Sequence, residues 1–207
     1  MKKIIVVMLL LFTIPAFAGI RAITDTGEEV ILNSDGTWEY LKSPAVGNDI
    51  PVNSVSYTKP GSAQFLLKST MNNSGFWVDT QKWQFSKASQ NEAAEYEFKL
   101  KGKDLYGITI TEEMSIPLDS LVKIALDNLL KEAPDARVIL KEYRNVNGLN
   151  LIHMQMRATV SGIDVVYYGY YYSDDSGSTQ LLTYSSSKLI QRYQAQAYEL
   201  LNGLVAQ

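Results

Sequence analysis

The chain has 207 residues, with 19 basic and 22 acidic side chains, no cysteine and a single histidine. The absence of cysteine excludes disulfides, thiolate metal sites and acylation of a cysteine behind a leader, and one histidine excludes clusters of histidine ligands. Hydrophobic residues make up 46% and charged residues 20%, which is typical of a globular protein with a packed core.

The N-terminus has the three parts of a secretory signal peptide. Lys2 and Lys3 precede an apolar run from Ile4 to Ile14, and the small-residue site Ala16-Phe17-Ala18 follows. The run is about half of the ~20 apolar residues that a membrane span needs, which favours cleavage over a membrane anchor. We expect cleavage between Ala18 and Gly19, export to the periplasm or the extracellular space, and no membrane span in the mature form. Loss of the two lysines leaves a net charge of −5, which disfavours nucleic acid as a partner.

Turn-forming residues divide the next part of the chain. Residues 19–41 are predicted to form a small β-hairpin unit, with turns at Asp25-Thr26-Gly27 and at Asn33-Ser34-Asp35-Gly36. Residues 42–62 are interpreted as a linker, because proline and glycine recur among polar residues without a sustained period. The remaining residues, 63–207, are predicted to form one larger domain behind the signal peptide at 1–18.

The larger domain is predicted to have the element order β-β-β-α-β-β-β-β-α. Its predicted strands are Phe76–Val78 with Trp83–Phe85, Ala94–Leu100, Tyr106–Thr111, Arg137–Arg144, Leu149–Thr159, Ile163–Tyr172 and Thr179–Ser185. One helix is predicted from a Ser115 cap and Pro117 to Ala133, and a C-terminal helix from a Ser187 cap through Leu204. The strand Ile163–Tyr172 has apolar residues on both faces, which predicts an α+β fold with an antiparallel sheet between helices, an α-β-α sandwich.

Several local motifs in residues 65–205 resemble the PsbP-like family, and especially its small secreted bacterial relatives. They are Phe76-Trp77-Val78-Asp79 with Lys82-Trp83, Ile116-Pro117-Leu118 with Ser120-Leu121, Ala133-Pro134-Asp135-Ala136, Val146-Asn147-Gly148, Tyr168-Gly169-Tyr170-Tyr171-Tyr172-Ser173 with Gln180-Leu181, and Leu200-Leu201-Asn202-Gly203-Leu204. The resemblance implies an antiparallel sheet between helices in a binding or scaffolding module that is not known as a class of enzyme. It implies no ligand set, and neither a cofactor nor a metal is expected.

His153 is the one residue that could serve as a general base. Strand alternation places it on a face with Leu151, Gln155 and Arg157, which favours a hydrogen-bonded structural histidine over a catalytic one. No Gly-x-Ser-x-Gly elbow accompanies it. A hydrolase that uses His153 is the weakest alternative, and it requires a serine, a threonine or a carboxylate within hydrogen-bond reach of the ring.

Paired acidic residues could bind a cation or act as an acid and a base. Glu112 and Glu113 are adjacent strand residues that point to opposite faces, and Asp174-Asp175-Ser176-Gly177 has too few ligands for a calcium loop. Turn chemistry explains the second pair better than a metal does. No catalytic residue is therefore predicted.

The strand Ile163–Tyr172 is rich in tyrosine, and this feature carries the binding hypotheses. Tyr168, Tyr170 and Tyr172 share one face of that strand, and Tyr143 and Tyr184 are on strands that could lie beside it. Exposed rings could bind a protein partner of the cell envelope, which is the leading hypothesis, or line a pocket for a glycan or an apolar molecule. The opposing possibility is that these rings are buried beneath the helices. The predicted function is thus a non-enzymatic exported binding or scaffolding module.

Overall fold

A computed structural model describes residues 20–23, 29–40, 50–89 and 91–207 of the chain. The chain divides into two units, Met1–Ser43 and Pro44–Gln207. The predicted signal peptide and its cleavage site lie outside the described residues. No helix among the described residues is both long and apolar enough to span a membrane.

The first unit is a small antiparallel sheet. Its strands, in spatial order, are β1 (Ile20–Ile23), β2 (Glu29–Leu32) and β3 (Trp38–Tyr40). Asp35 closes the turn before β3, because its carboxylate accepts hydrogen bonds from the N–H and the hydroxyl of Thr37. Gly36 completes the turn with a φ of +82°. The predicted turn at Asp25-Thr26-Gly27 lies outside the described residues.

The second unit has eleven described strands and three helices. In chain order they are β4 (Val52–Tyr57), β5 (Phe65–Lys68), β6 (Ser74–Val78), β7 (Trp83–Lys87), β8 (Tyr96–Leu100), β9 (Tyr106–Glu112), α1 (Leu118–Glu132), β10 (Arg137–Val146), β11 (Leu149–Val160), β12 (Ile163–Asp174), β13 (Gly177–Ser186), α2 (Ser187–Ile190), α3 (Gln194–Leu201) and β14 (Leu204–Ala206). The described residues are therefore mostly in strands, and few of them are helical.

The strands of this unit form a large and a small sheet. The large sheet has the order β4-β10-β11-β12-β13-β9-β8-β7, and the small sheet has the order β14-β6-β5. The pairs from β10 to β13 are hairpins with tight turns, where Asn147, Ser161 and their following glycines take positive φ. Those turns were predictable because Asn-Gly and Ser-Gly pairs tolerate this backbone conformation.

Helix α1 covers one face of the large sheet, called here the α1 face. Its buried residues Leu121, Val122 and Ala125 pack in one cluster with Ile152 and Tyr171. Alternation along the strands turns the neighbouring side chains to the other face, called here the opposite face. A second cluster forms there from both α2 and α3 and from the small sheet, with members that include Ile190, Leu200 and Phe76.

The cover of the opposite face differs from the predicted α-β-α sandwich. The single predicted C-terminal helix is two short helices, and the predicted helical residue Leu204 lies instead in β14, where it pairs with Phe76. A three-stranded sheet thus shares the cover with α2 and α3. The backbone of residues 204–206 pairs with β6. This long-range pairing overrides the helical pattern of the apolar residues.

The predicted linker at residues 42–62 also needs correction where it is described. Val52–Tyr57 is strand β4, which pairs in parallel with β10, so the large sheet is not wholly antiparallel. The predicted caps differ too. Helix α1 begins behind Pro117 without a side-chain cap, and the hydroxyl of Ser187 donates to Asp164 rather than to the helix.

Candidate functional site

Two of the tyrosines predicted to bind a ligand are in the core. Tyr168 and Tyr170 are 1% and 0% exposed, and they pack on the opposite face with the cluster beneath α3 and the small sheet. Tyr172 lies on the same face and is half-buried, and its hydroxyl donates to Asp174. The rings of Tyr168 and Tyr170 are therefore not accessible to an external partner, and the ring of Tyr172 is accessible only in part.

The other two predicted tyrosines lie on the α1 face. Tyr143 packs against the cluster beneath α1. Tyr184 lies farther along the sheet and lines an open groove. The five predicted residues are thus divided between two faces, and Tyr184 is the one of them that lines the open groove.

His153 lies in a buried polar network on the opposite face. Its Nδ1 is 3.0 Å from the carbonyl oxygen of Gly169, and its Nε2 is 3.1 Å from the hydroxyl of Tyr198 and 3.2 Å from Nε2 of Gln155. Because the carbonyl can only accept, Nδ1 carries the proton and Nε2 accepts. Burial, with the positive charge of Arg144, lowers the pKa of His153 to about 4, although Gly169 and Glu142 oppose the shift.

The contacts of His153 do not meet the requirement of the hydrolase hypothesis. Its ring has no serine, threonine or carboxylate among its hydrogen-bond partners in the described part of the chain. A base must contact the nucleophile that it activates. His153 instead joins β11 to β12 and α3.

The depressed pKa of His153 makes the protein less stable in acid. Between pH 6.5 and pH 4 the unfolded chain binds a proton at this ring that the folded chain does not, so falling pH favours unfolding by a total of about 3 kcal/mol. We expect His153→Gln to remove this part of the pH dependence, as measured by urea unfolding at intervals from pH 7 to pH 4. Carboxylates other than Glu142, whose pKa is lowered in part by His153, titrate alike in both proteins and cancel in the difference. Parallel stability curves for the two proteins would contradict the assignment.

Arg144 is the buried cation beside this network. Its guanidinium lies 4.8 Å from the ring centre of Tyr57, 5.1 Å from that of Tyr198 and 5.9 Å from that of Tyr170. It also donates to Glu142 and to the hydroxyl of Tyr170. Burial opposes its charge, but Tyr170 and Glu142 hold the pKa of Arg144 above its ordinary value. These contacts tie β4, β10, β12 and α3 together and leave Arg144 only 8% exposed, so it serves the fold.

A row of three tyrosines crosses the α1 face from β12 to β9. The strand register places Tyr167, Tyr184 and Tyr106 side by side on β12, β13 and β9, and this set is called here the tyrosine row. The ring centres are 5.4 Å apart for Tyr167 and Tyr184, and 5.7 Å apart for Tyr184 and Tyr106. Because the rings lie against one another, the ring faces between them are not free to stack on a ligand.

Polar side chains of the last two strands continue the same surface. Gln84 and Ser86 from β7 pair across the ladder with Lys99 and Glu97 from β8. Together with Tyr106 and Tyr184, and with Phe85, Phe98 and Gly107, they line an open groove of about 430 Å³, called here the groove. Helix α1 packs over β11 and β12 and leaves these strands uncovered. The result is a surface with aromatic residues at one end and charged and amide groups at the other.

The electrostatics of the groove favour hydrogen bonding and charge recognition. Burial raises the pKa of Tyr167 to about 12, and burial with the nearby Glu97 raises the pKa of Tyr184, so both phenols stay protonated at neutral pH. The ammonium of Lys99 lies 5.4 Å from the ring centre of Tyr106. Such a site can donate hydrogen bonds and offer one positive and one negative charge, but within the described residues it contains no catalytic arrangement that we recognise.

Sequence reasoning missed most of the groove. Tyr106 and Lys99 were not among the predicted site residues, because a row that crosses strands depends on register rather than on spacing along the chain. Of the residues that line the groove, the sequence analysis had named Tyr184 as a site residue.

No group of three or more histidine, aspartate and glutamate side chains in the described residues is arranged to hold a metal ion. The acidic pair at Asp174-Asp175 belongs to a turn. Asp174 accepts hydrogen bonds from the backbone and the hydroxyl of Ser176. This is the geometry that turn chemistry predicts.

Comparison with known proteins finds likeness only among solved structures. No protein-family model matches the sequence, and no curated protein matches it. A solution structure of cyanobacterial PsbP from Synechocystis sp. PCC 6803 matches with a TM-score of 0.54 and 9% identity, covering 78% of this chain and 100% of that one. A Pseudomonas aeruginosa protein of unknown function matches with a TM-score of 0.44 and 11% identity over 60% of this chain and 83% of that one. A Bacteroides thetaiotaomicron protein matches with a TM-score of 0.41 and 11% identity over 65% of this chain and 45% of that one.

The match to cyanobacterial PsbP spans the whole of that protein. At 9% identity it is evidence about the fold and not about activity or partners. It agrees with the resemblance of the motifs between residues 65 and 205. The chain has a PsbP-like fold.

Proposed function

We propose that the chain is an exported, non-enzymatic binding module that engages a protein partner of the cell envelope through the groove. The observation that carries the proposal is the uncovered half of the α1 face, where the tyrosine row meets Gln84, Lys99 and Glu97. Tyrosine is enriched at protein interfaces because one end of its ring is apolar and the other forms hydrogen bonds. The N-terminal pattern of Lys2, Lys3 and Ala16-Phe17-Ala18 supports export to the periplasm or beyond.

The groove also supports a second candidate, the binding of a small polar ligand such as a glycan. Its volume of about 430 Å³ lies within the range of small-molecule pockets, roughly 300–1,000 Å³. The stacked arrangement of the tyrosine row counts against this candidate, because a sugar that stacks on an aromatic residue needs a free ring face. We therefore place the protein partner first.

Site-specific photo-crosslinking in the producing cell tests the proposal. A photoreactive amino acid at Ser86, in the groove, is expected to form an adduct with a protein, and the same group at the exposed Lys188 on α2 is the matched control. The captured protein, once purified, should bind the full chain, and Lys99→Glu should weaken this binding at least about tenfold, as loss of a paired charge at an interface does. Lys188→Glu should leave it unchanged.

Other outcomes of this experiment decide against the protein partner. An adduct of small mass at Ser86 supports the small-ligand candidate instead. Equal adducts at both positions, or binding that Lys99→Glu leaves unchanged, contradict the assignment of the groove as the binding surface. N-terminal sequencing of the recovered protein checks export separately, because it should begin at Gly19.

A further inference from the structure

The outer side of β7 is an unpaired sheet edge beside the groove. β7 is the last strand of the large sheet in the described part of the chain. At the two ends of β7, the carbonyl of Lys82 accepts from the N–H of Lys101, and the N–H of Ala88 donates to the carbonyl of Glu95. Both bonds lie on the β8 side. Because backbone groups alternate in direction along an antiparallel strand, the N–H groups of Phe85 and Lys87 point away from β8.

The two sides of this edge differ in chemistry. On the α1 face, Gln84 and Ser86 project from β7 into the groove. On the opposite face, the ring of Phe65 stacks on Phe85 with 5.3 Å between ring centres, and Phe65 remains 44% exposed. A strand placed against β7 would therefore meet polar groups on one face and an aromatic ring on the other.

The charges at this edge favour an acidic partner. Lys87 and Lys99 are exposed, and neither forms an ion pair with a carboxylate among the described residues. Lys82 at the start of the strand is already paired with Asp79 and Glu199. Glu97 is the one carboxylate on the lining of the groove, so an acidic residue would be drawn toward Lys99 and away from Glu97.

We propose that an extended segment of the partner adds to β7 as a further strand, with acidic residues toward Lys99 on the α1 face and an apolar residue against Phe65 on the opposite face. This inference rests on the proposed function and specifies the kind of segment that binds. Strand addition at an exposed edge gains affinity from main-chain hydrogen bonds and specificity from the alternate side chains. Both requirements are present here, because the free N–H groups lie between the groove and the exposed aromatic ring.

A proline at position 87 separates strand addition from binding by side chains alone. Proline is tolerated on an edge strand when the lost N–H faces away from the sheet, so Lys87→Pro removes an outward donor and spares the pairing with β8. Lys87→Ala removes the same side chain and keeps the donor, which makes it the matched control. The free energy of unfolding of both variants shows whether each is folded.

The probe is a displayed library of random twelve-residue peptides selected on the full chain. We expect selected peptides to alternate acidic and apolar residues and to bind wild type and Lys87→Ala with Kd values within about threefold, while Lys87→Pro loses at least about tenfold. In wild type, bound peptide should slow the hydrogen exchange of the Phe85 and Lys87 amides. This readout needs no variant.

The alternative outcomes are distinguishable. Peptides that bind Lys87→Pro as well as Lys87→Ala, or that leave the Phe85 amide unprotected, overturn strand addition, and so does a library that yields no binder. If Lys99→Glu abolishes binding and Lys87→Pro does not affect it, strand addition is refuted, but the groove remains the binding surface. Binding that neither substitution affects contradicts both proposals.

Discussion

Replacing Arg144 with leucine is expected to lower the free energy of unfolding by about 3–5 kcal/mol, as removal of one partner from a buried ion pair does. Arg144 is 8% exposed and its partner Glu142 is also largely buried, so the remaining carboxylate would lose its cation without gaining water. The hydroxyl of Tyr170 would lose a donor at the same time. Urea unfolding at pH 7 measures the effect.

The control for this substitution is an exposed ion pair of the same chemistry. Arg157 and Asp164 have side chains that are 42% and 39% exposed, and Arg157→Leu should cost less than about 1 kcal/mol. The double variant Arg144→Leu with Glu142→Leu should recover part of the loss, because it leaves no unpaired buried charge. A cost for Arg144→Leu no greater than that for Arg157→Leu would show that burial does not set the strength of the pair.

Gly177→Ala is expected to destabilise the protein by roughly 4 kcal/mol, the combined order of backbone strain and overpacking. Gly177 has a φ of +145°, which residues with side chains rarely adopt. A Cβ atom there would lie 2.0 Å from the carbonyl oxygen of Glu112, and that carbonyl is held by the pairing of Ser178 with Glu112 between β13 and β9. The clash can be relieved only by separating the two strands at this end.

Gly162→Ala is the matched control for this prediction. Gly162 also has a positive φ, of +79°, but a Cβ atom there meets nothing within 4 Å. Its cost should be about 1 kcal/mol, the strain of a left-handed backbone without a clash. Thermal unfolding of both variants gives the comparison, and equal losses would mean that φ rather than the clash determines the cost at Gly177.

Local signals account for the parts of the fold that the sequence predicted well. The hairpins from β10 to β13 follow from turns such as Asn147-Gly148 and Ser161-Gly162, whose residues tolerate positive φ. Helix α1 follows from apolar residues at helical spacing. Each of these elements is decided by residues close together in the chain.

The parts that sequence reasoning missed depend on distant pairing. Strand β4 lies among prolines and polar residues, and only its pairing with β10 makes it a strand. Leu204 fits a helical stripe, yet its partner Phe76 places it in a strand. For the candidate site, alternation grouped Tyr168 and Tyr170 correctly on one face, but which face stays open depends on where α1 and the small sheet pack.

Strand β4 also has a consequence for the order of synthesis. Asn53 of β4 bonds to Glu142 of β10, which lies 89 residues later in the chain. A chain made from its N-terminus therefore carries β4 without a partner until β10 has emerged, whereas β11, β12 and β13 each pair with the strand made just before. Closing so long a loop has an entropic cost that neighbouring hairpins avoid. The exposed valines of β4, Val52 and Val55, are thus the apolar strand residues that a chaperone would meet first on the nascent second unit.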